Sequence, residues 1–209
     1  MKVFSTLILC SLFLSVPVIA EPFNIAFGSC LRQYKPQPVW QGIINNQPNL
    51  FIFLGDNVYA DTGPLRHEKE PERIKIAYEQ LAQNKGFQTL KSFVPMLAIW
   101  DDHDYGLNDA GAEYPFKQES KSAFVDFFDI PKDSPVLQRQ GIYDSHIIYS
   151  PAGVIQVLLL DTRTFRSPLV KADPSPACPK LNLQPNNDKT TTVLGKAQWQ
   201  WLEKELQKP

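Results

Sequence analysis

Three short apolar runs in this chain each stop at a polar cluster. Residues 22–27 lead into Gly28-Ser29-Cys30, residues 50–54 into Gly55-Asp56, and residues 96–100 into Asp101-Asp102-His103-Asp104. A run this short, ended by a turn residue, reads as a strand buried on both faces. Between them lie segments of helical period. Residues 38–47 carry Val39, Trp40, Ile43 and Ile44 behind Pro38. Residues 68–84 place Ile74, Ala77, Tyr78 and Leu81 on one face, with Glu70 and Glu72 near the start, where the helix dipole favours acids. Gly86 is expected to end that helix and to open a second short one over 86–93. A strand–helix–strand order favours parallel pairing. The pattern therefore predicts an α/β fold.

Beyond the third strand, residues 104–117 read as a loop over the strand ends. Residues 118–128 read as a helix burying Ala123, Phe124, Phe127 and Phe128. Residues 141–149 and 154–160 read as a hairpin around Pro151-Ala152-Gly153. The second of these strands also ends on a polar cluster, here the charged Asp161-Thr162-Arg163. Residues 167–192 hold five prolines and little apolar periodicity; loops of this length are lids, binding loops or disordered. A last helix over 195–207 is expected to present Trp199, Leu202 and Leu206 on one face.

Catalytic and ligand-binding groups of open parallel sheets collect at the carboxyl ends of the strands. If the first three strands are parallel and adjacent, Cys30, Asp56, Tyr59, Asp102 and His103 meet at one rim. Thiolate, phenolate, carboxylate and imidazole are all metal-capable, and a bridging carboxylate such as Asp56 suits a two-metal site. Taken singly, each residue has a plainer reading: Asp56 as a turn cap, Tyr59 as half-buried core, Asp101 and Asp102 as loop caps. Arg163 could brace its own loop through Asp161 or contact a substrate. His67, flanked by charges, reads as a surface residue, and His146, in an apolar strand, as structural.

A formal net charge of -1 over 209 residues argues against an electrostatic nucleic-acid footprint, and 43% hydrophobic content is enough for one core. Residues 1–20, with Lys2, an apolar stretch and Val18-Ile19-Ala20, read as a secretory signal peptide. The domain then spans 21–209, beginning at Glu21, with no transmembrane anchor after removal of the signal and a periplasmic or secreted location. In an oxidising compartment Cys30 could pair with Cys178 or serve as a metal thiolate.

The polar clusters, taken together, resemble a known family. Gly28-Ser29-Cys30, Gly55-Asp56-Asn57-Val58-Tyr59-Ala60-Asp61, Trp100-Asp101-Asp102-His103-Asp104, Leu160-Asp161-Thr162-Arg163 and the closing Leu194-Gly195 with Gln198 and Trp201-Leu202 look like the motifs of PhoD-like alkaline phosphatases, within the calcineurin-like metallophosphoesterases. Each motif alone is weak; five in order are specific. The resemblance implies a four-layer α/β/β/α sandwich and hydrolysis of phosphate mono- or diesters by metal-activated water. It implies Fe3+ and Ca2+, with Cys30, Asp56 and Tyr59 at ligand positions and Asp102 suited to the second ion. It also implies a substrate-facing His103 and favours the ligand reading of Cys30; beside these, Asn57 and Arg163 are expected to contact the substrate.

Members of that family continue past the last helix into strands carrying a Gly-Asp-x-His motif. No such motif occurs here. The expectation is therefore a second sheet that is incomplete, and a chain that is either the N-terminal part of such an enzyme or a non-catalytic relative that binds metal or a partner.

Overall fold

The computed structural model describes residues 21–173 and 183–208. The proposed signal peptide and Cys178 lie outside the described residues. The order of elements is α/β, as expected. Strands β1 (Ile25–Gly28), β2 (Leu50–Leu54) and β3 (Met96–Ile99) form a parallel sheet in the order β1-β2-β3. Ile25 pairs with Leu50, and Phe51 pairs with Met96. The register brings all three carboxyl ends to one side.

The central strand β2 has four of its five residues buried, Leu54 being the exposed one. Helix α1 (Val39–Asn45) lays Trp40 on this strand, where its ring sits 6.2 Å from Phe51 and 6.3 Å from Phe53. Helix α2 (Glu72–Ala82) buries Ile74, Ala77, Tyr78 and Leu81, the face its periodicity predicts. Helix α3 (Lys85–Lys91) corrects the reading of Gly86, which lies inside it. The break falls at Gln83 and Asn84, and the Asn84 side chain accepts from the Phe87 backbone N–H to cap α3. Gly86 is needed for approach: a Cβ there would stand 2.5 Å from the Trp40 Cβ.

The third strand runs into a short helix, α4 (Asp102–Tyr105), whose last two residues fall in the expected 104–117 loop. Helix α5 (Lys117–Phe127) follows and stacks Phe127 on Tyr78 of α2 at 4.6 Å. Strands β4 (Asp144–Ser150) and β5 (Gly153–Leu159) form the expected antiparallel hairpin, a second sheet of two strands among the described residues. Two-residue strands β6 (Val170–Lys171) and β7 (Leu183–Gln184) pair within the proline-rich stretch.

Helix α6 (Gly195–Leu206) packs on the hairpin through a different face from the expected one. Trp199 is 50% and Leu206 64% exposed, while Gln198, Leu202 and Glu205 are buried. Polar anchoring wins over the apolar stripe here. Gln198 exchanges hydrogen bonds with the Asp161 backbone, and Gln156 of β5 donates to the Glu205 carbonyl at 3.1 Å. No helix among the described residues is long and apolar enough to cross a membrane.

Candidate metal centre

The tips of β1 and β2 share an unusual backbone. Cys30 has φ 60°, Asp56 has φ 50°, and Gly55, between β2 and Asp56, has φ 100°. Left-handed conformations cost L-residues about 1–2 kcal/mol each. The surroundings hold them: Cys30 N–H donates to the Gly55 carbonyl at 3.3 Å and Leu31 N–H to the Asp56 carbonyl at 2.8 Å. Gly55 also has no room for a side chain, because a Cβ would lie 2.6 Å from the Asp101 Cβ and 2.8 Å from the Asp101 nitrogen.

Asp104 ties the second tip to the third. It is fully buried and accepts backbone N–H bonds from Asp101 (2.8 Å), Asn57 (3.1 Å) and Asp56 (3.2 Å). Burial pushes its carboxyl well above the ordinary range, and the N–H bonds only partly oppose that.

The five candidate residues meet on this frame. The Tyr59 hydroxyl donates to Asp56 Oδ2 at 2.8 Å, and the Cys30 thiol stands 3.6 Å from the same oxygen. The His103 backbone N–H donates to Asp102 Oδ1 at 2.9 Å and, weakly, to Asp56 Oδ1 at 3.4 Å. The Tyr59 and His103 rings lie 4.2 Å apart. Asp56, Asp102 and His103 each offer one ligand atom, all within 4.8 Å of one another, a group that could hold a metal ion.

Without a cation this cluster is electrostatically uncomfortable. Burial holds Asp56 above the usual carboxylate range, and the Asp102 and Asp101 charges add to it against the Tyr59 hydrogen bond and His103. Burial, then Asp56, pushes the Tyr59 phenol far up. Asp102 is held low despite its burial, by the Asp109 N–H bond and by the Arg163 and His103 charges. Burial alone would lower His103, but Asp61, Asp102 and Asp56 outweigh it and raise the imidazole. A bound cation reverses the penalty on Asp56 and Tyr59, so the donor set fits a metal ion.

Two residues singled out in the sequence have other surroundings than expected. Asn57, expected to contact substrate, is tied into the frame beneath the site. It is fully buried, and its amide donates to the Ile99 carbonyl at 2.8 Å, clasping the end of β3 to the turn after β2. Arg163 meets the Asp161 carboxyl through its backbone N–H at 2.9 Å, but its guanidinium does not pair there. It reaches across to Asp101, with Nε 2.6 Å and Nη2 2.5 Å from Oδ1, which puts it at the edge of the site. His67 is exposed, and His146 is half-buried in β4 beside Asp144. Cys30 is a free thiol among the described residues.

Asp61, which the sequence offers only as an extra ligand for the second ion, orients the imidazole. Its Oδ1 lies 2.6 Å from His103 Nδ1, and its Oδ2 accepts the Asn108 N–H at 2.7 Å. It therefore fixes the imidazole so that Nε2 is the free nitrogen. Only its place five residues after Asp56, in the same motif, hints at this. The signal for Gln33 is weaker still; it brackets Tyr59, accepting its N–H at 2.9 Å and donating to its carbonyl at 3.0 Å.

Fold and site define an α/β protein whose strand tips gather a carboxylate and imidazole group fit for a metal ion. The family model for PhoD-like phosphatase matches residues 25–209, and the chain belongs to that family. The family is metal-dependent and acts on phosphate esters. Neither the curated proteins nor the solved structures give a match.

Proposed function

We propose that this chain is an exported phosphoesterase, hydrolysing phosphate mono- or diesters with water activated by metal. The observation that carries the reading is the convergence of Cys30, Asp56, Tyr59, Asp102 and His103 on one corner, with Asp56 at its centre. Bound metals supply a nucleophile from water and neutralise charge on the phosphoryl oxygens. In our assignment Cys30, Tyr59 and Asp56 would hold Fe3+, which suits thiolate and phenolate, and Asp56 with Asp102 would hold Ca2+, which suits oxygen.

His103 serves the substrate in this reading. With Nδ1 committed to Asp61, its Nε2 is the atom able to hydrogen-bond a phosphoryl oxygen or protonate the leaving alkoxide. Arg163 neutralises Asp101 and adds positive charge beside Asp102. Asn57 and Asp104 act from below, holding the Asp56 turn. Residues 1–20 act as the export signal, and residues 21–209 carry the phosphatase domain, released to the periplasm or the exterior.

The test is hydrolysis of a chromogenic phosphate monoester and diester at alkaline pH, with Ca2+ and iron supplied. Turnover that is abolished in Asp56→Asn supports the proposal. His103→Ala lowers turnover by about 10²–10⁴-fold while keeping its metal. Loss of metal in His103→Ala would show that the imidazole is a ligand instead. A metal-loaded wild type without hydrolysis would overturn the phosphoesterase reading.

A further inference from the structure

Arg32 stands out among the charged groups at the site. It is exposed, and among the described residues its guanidinium makes no hydrogen bond and no ion pair. Yet it is not loosely placed. Its neighbours on both sides are locked to the site: Leu31 N–H donates to the Asp56 carbonyl, and the Gln33 side chain brackets the Tyr59 backbone. The guanidinium itself lies over the Tyr59 ring, 5.2 Å from its centroid, and the other neighbour of that ring is His103 at 4.2 Å. The Tyr59 ring thus touches both the arginine and the imidazole.

The other arginine at the site, Arg163, is already spent on Asp101. An exposed guanidinium held by an aromatic ring keeps its planar fork of donors available, and that fork matches phosphate oxygens two at a time. We infer that Arg32 is a specificity-determining residue for the substrate anion: it binds phosphoryl oxygens of the ester at the mouth of the site and favours doubly charged monoesters over singly charged diesters. The inference rests on the phosphoesterase reading and adds to it a residue that the metal-ligand motifs leave unassigned.

Steady-state kinetics and calorimetric titration with inorganic phosphate test it on the metal-loaded protein. In Arg32→Ala, KM for a phosphate monoester rises about tenfold, kcat stays within about twofold, and inorganic phosphate binds about tenfold more weakly. The rise in KM is smaller for a diester. Arg32→Lys, which keeps the charge and loses the fork, falls between wild type and Arg32→Ala. Arg32→Met keeps apolar cover on Tyr59 and behaves like Arg32→Ala. An unchanged KM and phosphate affinity in Arg32→Ala would overturn the inference. So would full recovery in Arg32→Met, which would reduce Arg32 to packing on Tyr59. A wild type that binds phosphate through Arg32 but hydrolyses neither ester would leave this inference standing and sink the phosphoesterase reading alone. A wild type that binds no phosphate would overturn the inference.

Discussion

Asp56 and Asp161 enter the chain in the same way, as an aspartate just past a buried strand, and the fold uses them oppositely. Asp161 has no exposed surface, and four donors aim at its carboxyl. Ile142 N–H and the Thr164 hydroxyl reach Oδ2 at 3.0 and 2.6 Å, while the Arg163 and Thr164 N–H groups reach Oδ1 at 2.9 Å each. Asp56 receives one good donor, the Tyr59 hydroxyl at 2.8 Å, and two distant ones. Two of the three, the phenol and the thiol, are themselves acids that can lose their protons to a metal. A carboxylate saturated by the backbone is a brace. One surrounded by ionisable groups and short of donors is a place for a cation.

The contrast can be broken most forcefully at the brace. Asp161→Ala leaves buried N–H groups of the 142 and 163–164 backbone and the Thr164 hydroxyl without an acceptor, while the Gln198 bonds from α6, made to the residue 161 backbone, remain. A loss of about 3–5 kcal/mol is expected from denaturant unfolding. A loss below about 1 kcal/mol would mean that the Asp161 carboxyl is not a brace.

Gly55→Ala comes next. It adds a Cβ at φ 100° against the Asp101 backbone, a change expected to cost about 2–4 kcal/mol in thermal or denaturant unfolding. Because the strain sits beneath Asp56, the same variant should also bind metal less tightly.

A smaller effect is written into the high-pH limb. Burial, then Glu70, pushes the Tyr114 phenol up to about 12. An unfolded tyrosine ionises near pH 10. Between these values the folded state holds the proton that the unfolded state has released, so stability is full below pH 10 and falls as pH rises toward 12. Tyr114→Phe should flatten that part of the stability curve, read by unfolding at pH 9, 10 and 11. An equally steep decline would assign it to other groups.

The smallest expected effect sharpens the comparison from the site's side. Asp56→Asn in metal-free protein removes a carboxylate from beside Asp102 and Asp101, and asparagine tolerates the left-handed backbone. Its stability should lie within about 1 kcal/mol of wild type, neutral or raised. A large loss would make Asp56 a second brace.

The strands and their rim were legible because the signal is local: a short apolar run, then a polar tip, repeated between segments of helical period. β1, β2 and β3 and the meeting of their tips follow from that. What the pattern could not carry is which neighbours each side chain finds. Asn57 sits beside Asp56 in the motif, yet the turn points it inward to Ile99. Arg163 lies two residues from Asp161 and pairs with Asp101, sixty-two positions away. On α6 the apolar residues predicted the wrong face, since the contacts that orient it belong to glutamines, which periodicity does not score. Gly86 reads as a helix stop by propensity and is kept inside α3 by its contact with Trp40.

The most direct test of the Asp56 corner is metal analysis of the protein, purified without chelators and then supplied with iron and Ca2+, alongside Asp56→Asn. The account predicts bound metal in the wild type, with a visible absorption from thiolate and phenolate when iron is present, and loss of both in Asp56→Asn with the fold retained. A wild type that stays metal-free, or an Asp56→Asn protein that keeps the wild-type metal content, would contradict it.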